Sequence, residues 1–358
     1  MSMFLATVVL VLWGMQAAVG LWLYFSFPAI GWKIPAGVLP ILLTGFILFG
    51  LSYTRTHHGT WDQLLYLAAY TWFGLAFLAF CISALFAMVQ WILFFFHVNL
   101  RVWLGPISLL VMGIVFFVSL WGAIAGPRIK RIAVSVPHAP KMKIALLSDS
   151  HLGMGVSLNR FDKALKKMEN ENPDVLFVLG DVFEYGPNKE AYAARLAKVR
   201  PPLGVWGVFG NHEYYTGYEN SLQFYKDAKI TLLQNELSVL ENGVQVAGVK
   251  DIRTARVTKA DLQELLTQAD KEKTLVLLSH TPLYAEEAAA GGSSLMFSGH
   301  THNGQIFPFN GLVRLQFPRV YGLHEVEKMK FYITSGMFYW GIPLRFLAPA
   351  EIPIIEVN

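Results

Sequence analysis

The residues of this chain that could do chemistry fall in five clusters, each at the end of an apolar run. Leu146-Leu147-Ser148-Asp149-Ser150-His151 ends in an acid and a histidine two residues apart. Val178-Leu179-Gly180-Asp181 ends in an acid, and Val208-Phe209-Gly210-Asn211-His212-Glu213 in an amide, a histidine and an acid. Leu277-Leu278-Ser279-His280 ends in one histidine, and Phe297-Ser298-Gly299-His300-Thr301-His302 in two, again two residues apart. On an extended chain, residues i and i+2 point to the same side, so such a pair can reach one point in space. Imidazoles mixed with carboxylates suit Mn, Fe or Zn, whereas the oxygen-only ligation that suits Mg or Ca is absent. A single Asp-x-His pair is common by chance, and a single histidine is usually a core or surface residue. Five clusters of one grammar in one chain point to a metal site.

Those clusters need a scaffold, and the runs before them read as strands. Lys143–Ser148, Val175–Leu179, Val205–Phe209, Val244–Val249, Thr274–Ser279, Leu295–Ser298 and Phe331–Thr334 are the candidates, with Ile132–Val136 as a short edge strand. Between them, Phe161/Leu165/Met168, Tyr192/Leu196/Val199, Leu222/Tyr225 and Leu262/Leu265/Leu266 recur at helical spacing. Strand–helix alternation predicts an α/β layered fold with helices covering the sheet faces. In such folds ligands bind beyond the carboxyl ends of the strands, where all five clusters lie.

The first third of the chain follows other rules. Overall the chain is 54% hydrophobic with mean hydropathy +0.42, too apolar for an ordinary soluble enzyme. Up to Gly126 the only charged residues are Lys33, Arg55, Asp62 and Arg101. About 20 apolar residues span a bilayer, and four stretches qualify: 4–27, 34–53, 64–96 and 103–125. The third is near 50 Å as a helix, longer than the hydrocarbon core, so it must tilt, bend or emerge. The first lacks a basic n-region and precedes three more spans, which argues against a cleaved signal peptide. Gln16, Thr44 and Gln90 lie within spans and read as helix–helix hydrogen-bonding groups. The predicted organisation is a transmembrane region over 1–126, a linker and edge strand over 127–140, and a catalytic domain over 141–358. Four spans put both termini on one side. Arg55, Arg128, Lys130 and Arg131 would lie there against Lys33 and Arg101 opposite, which favours a cytoplasmic catalytic domain. The basic cluster after the fourth span could also lean on anionic head groups. A net charge of +4 is too small and dispersed to indicate a nucleic-acid partner. Cys81 is the sole cysteine, so no disulfide forms within the chain.

Taken in order, Asp149-x-His151, Gly180-Asp181, Gly210-Asn211-His212-Glu213, His280 and Gly299-His300-x-His302 resemble the signature blocks of calcineurin-like metallophosphoesterases. The resemblance runs from about Lys141 to the C-terminus and implies a two-sheet α/β sandwich. It implies two divalent cations, one held by Asp149, His151, Asp181 and His302, the other by Asp181, Asn211, His280 and His300. It also implies that a water activated between the cations attacks phosphorus, with Asn211 and His212 contacting the scissile phosphate. His212 usually pairs with an aspartate three residues past the bridging acid; here that residue is Glu184, whose extra methylene puts the pairing geometry in question. Asn303 stands where relatives of this branch often carry glycine. The C-terminal stretch, Tyr332–Gly336 through Gly341–Phe346 and Pro349–Ile352, is similar to bacterial membrane-associated phosphodiesterases. There Arg345 reads either as a substrate-anion ligand or as an ion-pair partner of Glu351.

The function implied is a multi-pass membrane phosphohydrolase of the bacterial inner membrane. It would act on a phosphodiester, pyrophosphate or monoester, with a lipid or a nucleotide-lipid such as UDP-diacylglucosamine as one option. A non-enzymatic sensor or scaffold with a relic phosphoesterase fold is the alternative, and a protein phosphatase a weaker one. Met337-Phe338-Tyr339-Trp340 reads as packing under the sheet edge or as a greasy lip facing the bilayer. His57, His58, His97, His138 and His324 match no cluster, and Glu213 reads as a loop support.

Overall fold

The computed structural model describes residues 3–27 and 38–358. In chain order its elements are α1 (Met3–Ser26), α2 (Val38–Tyr53), α3 (Thr60–Phe94), α4 (Arg101–Ile124), β1 (Arg128–Val134), β2 (Met142–Leu147), α5 (Leu158–Glu169), β3 (Val175–Val178), α6 (Lys189–Leu196), β4 (Val205–Gly207), α7 (Asn211–Tyr215), α8 (Tyr218–Asp227), β5 (Thr231–Leu232), β6 (Glu236–Val239), β7 (Gln245–Gly248), α9 (Lys259–Thr267), β8 (Leu275–Leu278), α10 (Ala285–Ala290), β9 (Leu295–Ser298), α11 (Phe309–Arg314), β10 (Gly322–Val326), β11 (Met329–Ile333) and β12 (Glu351–Val357). They form two compact units, Met1–Trp121 with Gly341–Leu344, and Gly122–Trp340 with Arg345–Asn358.

The first unit is helical. Among the described residues three helices are long and apolar enough to cross a membrane: Ala6–Ser26, Thr60–Phe94 and Arg101–Ile124. The second of the four expected stretches is not among them. The described part of the second stretch is the 16-residue α2, about 24 Å at 1.5 Å per residue and short of a roughly 30 Å hydrocarbon core. Lys33, Ile34 and Pro35, used in the topology argument and the start of that stretch, lie outside the described residues. Gln16 and Thr44 join helices as predicted: Gln16 Nε2 donates to Thr44 Oγ1 at 2.9 Å, and Trp72 Nε1 donates to Gln16 Oε1 at 3.0 Å. Gln90 instead ties the turn after α3, donating to Val98 O at 3.1 Å and accepting from Leu100 N at 2.9 Å.

The second unit is a sandwich of two six-stranded sheets, ordered β1-β12-β2-β3-β4-β5 and β10-β11-β9-β8-β7-β6. Side chains alternate between faces along a strand, and β2 shows the consequence. Ile144 and Leu146 enter the core between the sheets with Phe177, Val276, Leu278 and Phe297. Ala145 and Leu147 face out to Phe161, Leu165, Tyr192 and Phe224 of α5, α6 and α8. Outside the other sheet, Leu262, Leu265 and Leu266 of α9 cover Ala247, Leu277 and Met296. Both faces of the inner strands are thus covered, which is why those strands are apolar at nearly every position.

Two expectations change here. The edge strand begins at Arg128 rather than Ile132, so the basic cluster belongs to β1. Arg131 donates to both oxygens of Glu171 at 2.7 and 2.8 Å, and Lys130 to Tyr321 OH at 2.8 Å. Those two charges therefore have partners within the unit. The last strand, β12, was not expected, because Pro353 interrupts it. It sits between β1 and β2, but its pairing with β2 begins only at Ile354, so the N–H that proline lacks is not missed there.

Candidate metal centre

Every cluster lies just past a strand. Asp149 and His151 follow β2, Asp181 follows β3, Asn211 and His212 open α7 after β4, His280 follows β8, and His300 and His302 follow β9. The pairs do not converge by strand alternation as predicted. Asp149, His151, Asp181, His300 and His302 have φ of 51°, 39°, 52°, 70° and 49°. A non-glycine residue in the left-handed region costs about 1–3 kcal/mol, and such residues gather at functional sites. The chain therefore turns sharply at each strand end, and the turns aim the side chains inward. Two glycines make the crossing possible. Gly180, at φ 89°, leaves room for the backbone of Gly210, and a Cβ on Gly299 would overlap Ser148 Oγ and Asp149 Oδ2.

The donor atoms meet in two groups that share one acid. In the first, His151 Nε2 is 2.9 Å from His302 Nε2, and His302 Nε2 is 3.3 Å from Asp149 Oδ1. In the second, His280 Nε2 lies 3.2 Å from Asn211 Oδ1 and 3.2 Å from His300 Nδ1. His300 Nδ1 lies 2.9 Å from Asn211 Oδ1. Asp181 Oδ2 is 3.2 Å from His280 Nε2 and 3.9 Å from His151 Nε2, so one oxygen faces both groups. Ligands bonded tetrahedrally at 2.0–2.1 Å stand about 3.3 Å apart. Asp149–His151–His302 and Asp181–His280–His300 each bring one donor atom per residue to within 4.8 Å of the others. Spacing and donor type both fit divalent cations.

A second tier of contacts aims the donors. His280 Nδ1 donates to Leu179 O at 2.7 Å, and His151 Nδ1 to Glu184 Oε1 at 2.6 Å. Each bond places the ring proton on Nδ1 and leaves Nε2 as the free donor atom. Ser148 Oγ donates to Asp149 Oδ2 at 2.5 Å. Glu213 holds the loops, as expected: its carboxylate accepts from Gly210 N at 2.7 Å, Asp181 N at 2.9 Å and Val182 N at 2.8 Å.

His212 stands at the rim, its Nδ1 2.8 Å from the same Glu184 Oε1 that receives His151. The longer side chain of Glu184 therefore reaches both imidazoles, and the doubted pairing is present. Burial pushes the Glu184 carboxyl up, but His151 and His212 beside it bring it down to about 2. Burial lowers His212, while Asp181 and Glu184 raise it to about 9. Burial likewise opposes the charge on Asp181, yet His280 and His212 hold its carboxyl well below the usual range. A buried carboxylate this crowded by imidazoles is a place where a cation can replace a proton.

Arg345 is enclosed by backbone carbonyls. It is 2% exposed, and its donors go to Ser335 O at 2.8 Å, Ala348 O at 2.8 Å and Phe338 O at 2.7 Å. A further contact of 3.1 Å places it on His302 Nδ1, beneath the site. Its suggested partner Glu351 instead accepts from Tyr332 OH at 2.6 Å and Tyr321 OH at 2.7 Å. Met337, Phe338 and Tyr339 are buried, as packing requires, and only Trp340 is exposed. Trp340 and Tyr215 set ring edges against His212 at centroid distances of 5.6 and 5.5 Å. The sequence marks Trp340 as packing or a bilayer-facing lip, not as a neighbour of His212, and gives no signal for Tyr215.

Comparison with known proteins gives the chain's family. Residues 142–304 match the family model described as calcineurin-like phosphoesterase. The chain is 34% identical over 262 residues to an uncharacterized metallophosphoesterase of Campylobacter jejuni, covering 70% of this chain and 69% of that one. It is 30% identical over 272 residues to a transmembrane protein with metallophosphoesterase domain of Danio rerio, covering 70% and 62%. Among solved structures, the calcineurin-like phosphoesterase YfkN of Bacillus subtilis aligns at 16% identity and TM-score 0.36, over 55% of this chain and 83% of that one.

Proposed function

The chain belongs to the calcineurin-like phosphoesterase family and is a metal-dependent phosphoesterase, and we propose that it hydrolyses a phosphodiester, pyrophosphate or phosphomonoester at a pair of divalent cations. The observation that carries the proposal is the position of Asp181 Oδ2, reached by His280 from one group and by His151 from the other. Asp149, His151, Asp181 and His302 would hold one cation, and Asp181, Asn211, His280 and His300 the second. Mn, Fe or Zn suits this mixture of donors. Bound there, such a pair supplies Lewis acidity to phosphoryl oxygens and makes water nucleophilic near neutral pH.

The chain's own residues do the rest. Glu184 holds the Nδ1 proton of His212, which leaves Nε2 to meet the substrate. A proton on Nε2 moves to the leaving oxygen as its bond to phosphorus breaks. Asn211 turns Oδ1 toward His280 and His300, so its amide N–H groups remain to steady a phosphoryl oxygen. The complete donor set argues against a relic scaffold.

The apolar helices make this a membrane protein, and they support a narrower reading. We take the second apolar stretch as a fourth crossing, in a bacterial inner membrane with the catalytic unit in the cytoplasm. A tethered hydrolase meets amphiphilic esters at high local concentration, which supports a lipid or nucleotide-lipid substrate.

The test is hydrolysis of p-nitrophenyl phosphate and bis-p-nitrophenyl phosphate by the full chain, stripped of metal and then given Mn, Zn, Fe or Mg. Metal-dependent turnover that His212→Ala removes is expected. Turnover that is independent of added metal, or unchanged in that variant, would overturn the proposal.

A further inference from the structure

The segment after His302 carries apolar side chains that the core does not take. α11 buries none of its residues. Phe307, Leu312 and Leu315 are 47%, 56% and 82% exposed, and Trp340 and Leu347, from the C-terminal stretch, are 51% and 69% exposed. The two stretches are joined side by side. Trp340 N donates to Gln305 Oε1 at 2.8 Å and Gln305 Nε2 to Trp340 O at 3.1 Å. Phe307 N donates to Phe346 O at 3.1 Å. Together they make one lip rather than scattered residues, and a contiguous exposed apolar patch usually marks a binding surface.

The lip is fixed to the reacting centre at three points. Gly304, two residues past His302, lies so close to α11 that a Cβ there would overlap Asn310 Cα. Just beyond α11, Phe317 sets its ring edge on His300 at a centroid distance of 5.3 Å. Trp340 does the same to His212 at 5.6 Å. An apolar group leaving past His212 would meet Trp340 first and, beside it, the segment that the Gln305 and Phe307 bonds hold there.

We infer that this lip seats an alkyl or prenyl chain carried by the substrate, so that the enzyme selects phosphate esters or anhydrides with a long apolar substituent. The inference rests on the hydrolase reading above and adds the element that recognises the tail. The occupant is the tail, because the patch is continuous with the residues around phosphorus. Arg314, at the end of α11, adds a cation at the edge of the lip, as an anionic amphiphile requires.

The experiment measures binding, so it does not depend on turnover. The Mn-loaded full chain in nanodiscs of uncharged lipid is titrated with methyl-, butyl- and octylphosphonate. A methylene laid on an open lip is about half buried and should tighten binding about twofold, which makes roughly a hundredfold between methyl and octyl. In Leu312→Ser/Leu315→Ser and in Trp340→Ser that ratio should fall below about tenfold. These side chains are exposed, so the variants should fold. A ratio near one in the wild type, or a ratio that survives both variants, overturns the inference and leaves the lip to the lipid surface or to a second copy of the chain. A chain-length slope that persists while no metal restores hydrolysis of either p-nitrophenyl phosphate or its octyl diester would keep the lip and sink the hydrolase, so the two failures are distinguishable.

Discussion

Replacing Glu184 by alanine separates two roles that one oxygen performs. Glu184 Oε1 receives His151 Nδ1 at 2.6 Å and His212 Nδ1 at 2.8 Å. The first bond aims a proposed metal ligand, and loss of such a support typically lowers metal affinity 10–100-fold. The second holds the proposed proton donor. A hydrogen bond to a charged group is worth about 1.5–3 kcal/mol, which becomes a fall of roughly 10- to 150-fold in kcat if the donor loses its orientation. Its two imidazole partners hold the carboxyl at about 2, so it is ionised wherever the enzyme is assayed and pH cannot mask the effect. The assay is kcat for bis-p-nitrophenyl phosphate against metal concentration. Glu184→Ala should need more metal and still plateau well below wild type. Glu184→Gln, whose amide oxygen can accept both bonds without the charge, should fall between the two. A Glu184→Ala plateau equal to wild type would refute the assigned link between Glu184 and His212.

Three other substitutions probe the supports. Gly299→Ala pushes a methyl into Ser148 Oγ and Asp149 Oδ2, so metal-dependent activity should vanish even with the domain folded by circular dichroism. Arg345→Met strips donors from the carbonyls of Ser335, Phe338 and Ala348. At about 1–3 kcal/mol for each buried group left without a partner, and 2–4 °C per kcal/mol for a unit of this size, thermal unfolding should drop by roughly 10 °C. A KM change without that drop would return Arg345 to the substrate. Glu213→Ala leaves the N–H groups of Gly210, Asp181 and Val182 without their acceptor. It should lower both stability and metal retention, and Glu213→Gln should recover part of each, read by calorimetry and by dialysis.

Much of the site was legible because each donor type followed an apolar run, and the runs had to be inner strands covered on both faces. Asp149, His151, Asp181, Asn211, His280, His300 and His302 do come together, with His212 beside them. The reason given for their convergence was incomplete, since the backbone is left-handed at five of them, and no periodicity announces a turn of that kind in a residue with a side chain. β12 was hidden by Pro353, whose neighbours looked like a loop until the place where its pairing starts was known. The surroundings of Arg345 were hidden because the carbonyls that hold it carry no signal in the sequence. The double use of Glu184 was out of reach for the same reason: it depends on where two rings end, not on spacing. The apolar helices were plain from composition, and three of the four expected stretches are long enough to cross a membrane among the described residues.

The most direct test of the account is the number of divalent cations that stay with each chain. Purified protein loaded with Mn or Zn and dialysed would be assayed by elemental analysis, as wild type and as His280→Ala. Close to two cations per chain are expected in the wild type, and close to one in the variant because Asp149, His151, Asp181 and His302 remain. A wild type that retains one cation or none, or a variant that loses nothing, would contradict the shared position of Asp181 on which the account stands.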